Sequence, residues 1–212
     1  MAPQTAISAE HFATIILLEE LELQCRLAES SIARLRSAAD AWKSNTPGVG
    51  RPVDIVADCI VCLSAAASIY RLLQPGKRTG QRLAITEKRC KALRRALQYP
   101  PINEIEKQGT RNSWEHMDER IDAMFIAGQC RSFCAVHVSP RPPSDDTFVH
   151  HHFDPVTMEI RHGADSINLD RLAAECANLL EAKRWVSLAL VSGSDAPYPG
   201  SASGATQPPR QP

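Results

Sequence analysis

The sequence has no excess charge of either sign: 24 Lys and Arg balance 24 Asp and Glu over 212 residues. That excludes a histone-like or wholly basic nucleic-acid binder, and an acidic disordered chain. It has no long uninterrupted apolar run. The most apolar stretch, Ile55 to Leu73, carries Asp58, Ser64, Ser68 and Arg71, whereas a membrane span needs roughly 20 apolar residues. It reads as a buried core helix, and no membrane association is expected. The start, Met1-Ala2-Pro3-Gln4-Thr5-Ala6, lacks a basic run before an apolar core, so no secretory signal is expected there. No Gly-rich phosphate loop occurs, which leaves P-loop nucleotide hydrolysis without support. No internal repeat is visible. The cysteines, at 25, 59, 62, 90, 130, 134 and 176, are odd in number, and neither Cys59-x2-Cys62 nor Cys130-x3-Cys134 has a second matching pair. Reduced thiols in a cytoplasmic protein are expected, several of them packing as small hydrophobes.

What is present is ordinary for a globular domain: 43% hydrophobic residues and a mean hydropathy of −0.24,. The length suits one sizeable domain, placed at residues 8–190, with a disordered Gly-, Ser- and Pro-containing tail over 192–212. The fold class expected is mainly α: an antiparallel helical bundle with a small β-sheet inserted before the C-terminal helix.

The longest helix is expected over 8–43. Ser8 can cap it, and Phe12, Ile16, Leu23 and Leu27, then Ile32 and Leu35, recur at helical spacing,. Glu19, Glu20, Glu22, Arg26 and Arg34 fill the other faces. A second helix opens at Pro52, a favoured first position, and stops before Gln74-Pro75-Gly76. It is apolar on most faces, as a helix in the middle of a bundle is. A third covers Thr79 to Gln98. Between Lys77 and Gln98 stand eight Lys or Arg against Glu87 alone, a local net of +7. Such a run is either a solvated face or a phosphate-binding surface, with Lys88, Arg89, Lys91, Arg94 and Arg95 as the nucleic-acid-binding candidates. A short helical piece over Asn103 to Lys107 leads to Gly109. A fourth helix is expected from Thr110 to Ala127, with Trp114, Met117, Ile121, Met124 and Phe125 on its apolar side.

After Gly128 the period changes. Ser132 to Val138 reads as a strand, and Thr147 to Phe153 with Thr157 to Arg161 as a hairpin turning at Asp154-Pro155. These make up a β insertion over about 131–162. A last helix runs from Asn168 to Leu190, capped by Ser166 or Asn168.

The densest polar cluster is Arg111 to Asp122. On a helix Asn112, His116 and Arg120 share a face, and Arg111 pairs with Glu115. Arg111 and Asn112, followed by three residues and then His116, resemble the Arg-x4-His motif of the HEPN family. The continuation Glu115-His116-x-Asp118-Glu119-Arg120 is similar to that of uncharacterised bacterial members. The resemblance covers roughly residues 8–128. It implies a helical bundle, often homodimeric, in a family where many members are metal-independent ribonucleases of toxin–antitoxin and phage-defence systems. It implies His116 as the proton-moving group and Arg111 as the cation that meets charge on the phosphorane, with Asn112 orienting one or the other. Those chemical roles suit an imidazole titrating near neutrality and a permanently charged fork. RNA, a second copy of the chain and an antitoxin-like protein are the partners expected, with no cofactor. Residues 103–122 also hold six acids against three bases, so the alternative of a catalytically inactive interaction module, braced by the same polar network, stays open.

His150-His151-His152 stand on a predicted strand, so His150 and His152 share a face. Cys130, Cys134, His137 and His162 are near in sequence, and such ligands suit zinc. The histidines are rather expected as exposed groups at a sheet edge, and no metal is expected. No Cys sits at a Gly-rich turn with a His partner, so cysteine catalysis is not expected.

Overall fold

In the computed structural model the residues described are 9–46, 51–76, 79–98, 100–107, 109–110, 112, 119, 122, 126, 132–141, 143–144, 147–162 and 165–192. The chain is mainly helical, with a small four-stranded mixed sheet before the last helix. The helices are α1 (Ala9–Lys43), α2 (Pro52–Leu73), α3 (Gly80–Ala96), the single turn α4 (Asn103–Glu106) and α5 (Leu169–Ser192). Gly109, Thr110, Asn112, Glu119, Asp122 and Ile126 are also helical, within the range expected for the fourth helix. The apolar residues assigned to that helix, and the tail after Ser192, lie outside the described residues.

Local signals explain most boundaries. Pro52 occupies the first turn of α2, and Asp54 beside it suits the positive end of the helix,. Asn168 Oδ1 accepts the Arg171 N–H at 3.0 Å, which makes Asn168 the N-cap of α5,. Ser166, the other cap candidate, is in a strand.

The sheet comprises β1 (Ser132–Val138), β2 (Thr147–Asp154), β3 (Glu159–His162) and β4 (Asp165–Asn168), in that order. β2–β3 is the expected hairpin. Asp154 Oδ1 accepts the N–H groups of Val156 and Thr157, an Asx-type turn that reverses the chain,. β4 was not foreseen: four residues with the pattern exposed, half-buried, buried, half-buried are too few for a periodic signal. β1 and β2 are parallel, Ser132 opposite Thr147. Parallel neighbours usually need a crossover of a dozen or more residues. Here the return from Val138 to Thr147 must span about 20 Å, and nine residue steps reach about 30 Å when extended.

One hydrophobic cluster joins helices and sheet. α1 contributes Leu18, Leu21, Cys25, Ala28, Ile32, Leu35 and Ala39. At 100° per residue these lie on one side of the helix. Phe12, Ile16, Leu23 and Leu27 fall on the opposite side and are 58, 53, 51 and 40% exposed. The apolar series read from spacing is therefore split: its N-terminal four residues face outward, and Ile32 and Leu35 face the core. α2 corrects a second expectation. It buries Ile55, Cys59, Cys62, Leu63, Ala66, Ile69 and Leu73, yet leaves Val53, Ile60 and Val61 exposed. It is half-buried rather than central. Among the described residues it alone is long and apolar enough to cross a bilayer, by length and composition.

Candidate functional site

The described residues hold one member of the Arg111–Asn112–His116 set. Asn112 is helical and exposed; Arg111 and His116 lie outside the described residues. The helical residues Gly109, Thr110 and Asn112 are held against the sheet at Gly109. Gly109 packs so closely on the Asp165 carboxylate that a Cβ there would collide with it.

The basic helix is sorted by geometry. Thr86, Cys90 and Leu93 of α3 are buried. Arg89 and Arg94 turn back to the end of α2. Arg89 Nη2 donates to the Arg71 carbonyl at 3.1 Å, and Arg94 Nη1 to Gln74 Oε1 at 3.3 Å. They brace two helices. Lys88, Lys91 and Arg95 are exposed and fall within about 60° of each other at 100° per residue. This is the compact outward cationic face of α3.

Two of the nearby acids are structural. Glu104 is 2% exposed and Glu175 8%. Glu175 Oε1 and Oε2 accept the Glu104 N–H at 2.8 and 3.1 Å, and Oε2 accepts the Ile105 N–H at 3.0 Å. Glu104 in turn accepts the Asn168 N–H at 3.0 Å and pairs with Lys107 at 2.8 Å. Burial pushes the Glu175 carboxyl up; the Glu104 charge adds to this and the backbone donors oppose it. The pair ties α4 to the β4–α5 junction. Sequence reasoning counted Glu104 among the loose acids and passed over Glu175. Its glutamate stands on the buried side of α5, beside Cys176 and one turn from Leu172, and that position was the available signal.

The histidines are the second surprise. β2 is an interior strand, and His150 and His152 are 4 and 7% exposed, so the expectation of exposed edge histidines fails. His137 and His152 are register partners with ring centroids 4.9 Å apart. His152 Nε2 lies 2.9 Å from the Ser139 carbonyl, and His137 Nε2 2.9 Å from that of Arg141. The His150 and His151 rings lie 3.8 Å apart. Burial lowers the pKa of His150, His151 and His152, that of His151 to about 4. These imidazoles are neutral packing groups at neutral pH. Among the described residues no three His, Cys, Asp or Glu side chains are arranged to hold a metal ion. Cys130 lies outside them. A pocket of about 360 Å³ opens on the sheet between Pro143, Phe148, His152 and Arg161.

The thiols cluster in the helical core. Cys25 of α1 hydrogen-bonds Cys176 of α5, which together with burial pushes its pKa up. Burial raises Cys59 and Cys62 likewise. Thiols held protonated are poor nucleophiles.

No family model, no curated protein and no solved structure matches this chain.

Proposed function

We propose that the chain is an RNA-binding helical bundle that acts as a homodimer and cleaves RNA without a metal ion. The observation that carries the RNA reading is the outward face of α3, where Lys88, Lys91 and Arg95 stand together exposed. Clustered cations on one helix face suit a phosphate backbone, each contact releasing counterions. The cleavage reading rests on the Arg111, Asn112 and His116 motif and its HEPN resemblance. His116 moves a proton at the 2′-hydroxyl or the leaving oxygen, and Arg111 meets the charge on the phosphorane. Asn112, exposed and helical, is available to orient them. An antitoxin-like protein that covers this site fits the same reading.

The test is cleavage of mixed-sequence single-stranded RNA in EDTA. Wild type cleaves, and His116→Ala loses at least about 100-fold, the usual scale for a general acid or base. Replacing Lys88, Lys91 and Arg95 by Ala weakens binding uniformly across sequences. It lowers the salt slope by about 2, at about 0.7 per phosphate contact on a single strand. Absence of both cleavage and salt-dependent binding in wild type overturns the reading. A second reading, an inactive interaction module, is favoured by the exposed apolar residues of α1 and α2. In that case His116→Ala lowers stability or dissociates the protein, and nothing cleaves RNA.

A further inference from the structure

α1 carries two apolar faces, and the bundle covers one. Phe12, Ile16, Leu23 and Leu27 are all at least 40% exposed and lie within about 60° around the helix. The sequence spacing of this stripe is four, seven and four residues, which reads the same in both directions. An antiparallel two-fold pairing in which these four residues meet one another needs that property, since each residue i that meets j′ must be matched by j meeting i′. We infer that this face of α1 is the surface on which a second copy of the chain docks, the two α1 helices running antiparallel. Phe12 then meets Leu27 of the second copy and Ile16 meets Leu23, about an axis between positions 19 and 20.

The area supports a self-association of modest size. With on the order of 200 Å² for a fully exposed large side chain, the four residues present about 400 Å² per copy. Two copies bury about 800 Å² of apolar surface, and at about 60% apolar this corresponds to a total near the lower end of specific interfaces. Charge sits only at the axis. Glu19 is already paired with Lys183 at 2.8 Å, and Glu20 accepts from Gln24 at 2.8 Å. Glu20 of each copy faces Glu19 of the other, so two symmetry-related repulsions limit the affinity and mark the register.

The inference rests on the dimeric state in the reading above and not on RNA cleavage, so its failure leaves the cleavage test standing. Sedimentation equilibrium of the full chain is expected to show a monomer–dimer equilibrium. Leu23→Glu and Ile16→Lys each shift it to monomer with unchanged circular dichroism, since both side chains are already half in solvent. Glu20→Gln tightens the dimer. An equimolar mixture of the Leu23→Glu and Ile16→Lys chains recovers dimer, because in the antiparallel register Glu at 23 meets Lys at 16. A parallel pair gives no such recovery. Wild type that stays monomeric to about 100 µM, variants that stay dimeric, or a mixture that stays monomeric would each overturn the proposal.

Discussion

The helical core and the sheet bury different chemistry. Where α1, α2 and α5 meet, the polar atoms enclosed are mostly thiols, at Cys25, Cys59, Cys62 and Cys176; the Cys176 hydrogen bond and burial hold Cys25 protonated, and burial holds Cys59 and Cys62 so. The sheet encloses imidazoles, at His150 and His152, with His151 half-covered, and an unperturbed imidazole changes charge at about pH 6.5. The two regions nevertheless share one hydrophobic cluster, in which Phe153, Ile160 and Ile167 of the sheet pack with the helices. Burial therefore encloses protonated thiols in one region and pH-sensitive imidazoles in the other, within one packed unit.

The largest expected effect tests whether that unit is single. Ile32→Ala in α1 and Ile160→Ala in β3 each remove a fully buried side chain and should each cost about 2–5 kcal/mol. In urea both variants are expected to keep one transition seen alike by helical and near-ultraviolet signals. A β3 variant that loses near-ultraviolet structure while keeping its helices would separate the two regions. Next comes the link between them. Glu175→Ala strips the Glu104 and Ile105 N–H groups of their acceptor. The cost is about 1–3 kcal/mol, while Glu175→Gln, which keeps an acceptor oxygen, costs less.

Acidification sharpens the contrast. Histidines whose pKa falls on folding contribute stability that is complete above about pH 6.5 and is lost as pH drops toward about 4, the value to which burial lowers His151,. Glu175, raised by burial, acts in the opposite sense at the acid end. Imidazole proton signals are expected to titrate below their free range, and His151→Gln should flatten the stability loss between pH 6.5 and 4. The smallest effect is chemical. Of the six described cysteines only Cys134 is not buried. It should react with a thiol reagent in the native protein, the other five only as the core opens.

Helix and strand positions were legible because they depend on neighbours in sequence. Pro52 and Gln74-Pro75-Gly76 bracket α2, β1 runs from Ser132 to Val138 as expected, and Asn168 caps α5. Of the candidate site, the sequence offered residue types and spacing. It could not separate Lys88, Lys91 and Arg95, which point outward, from Arg89 and Arg94, which fasten α3 to the end of α2. That distinction depends on where Arg71 and Gln74 end up. It also could not tell that Glu104 is bound and buried.

The sequence by itself determined the mainly helical class, the small sheet, most element limits and the Arg111–Asn112–His116 pattern, since periodicity, caps and turn residues act over a few residues. The tertiary structure alone decided which of two apolar faces of α1 enters the core. Hydrophobic attraction has no direction, so Phe12, Ile16, Leu23 and Leu27 satisfy helical spacing as well as Leu18, Leu21, Cys25 and Ala28 do. Only the positions of α2 and α5 choose between them. The same holds for the histidines of β2: His152 is enclosed between His137 of β1 and Arg161 of β3, a fact that alternation within one strand does not contain.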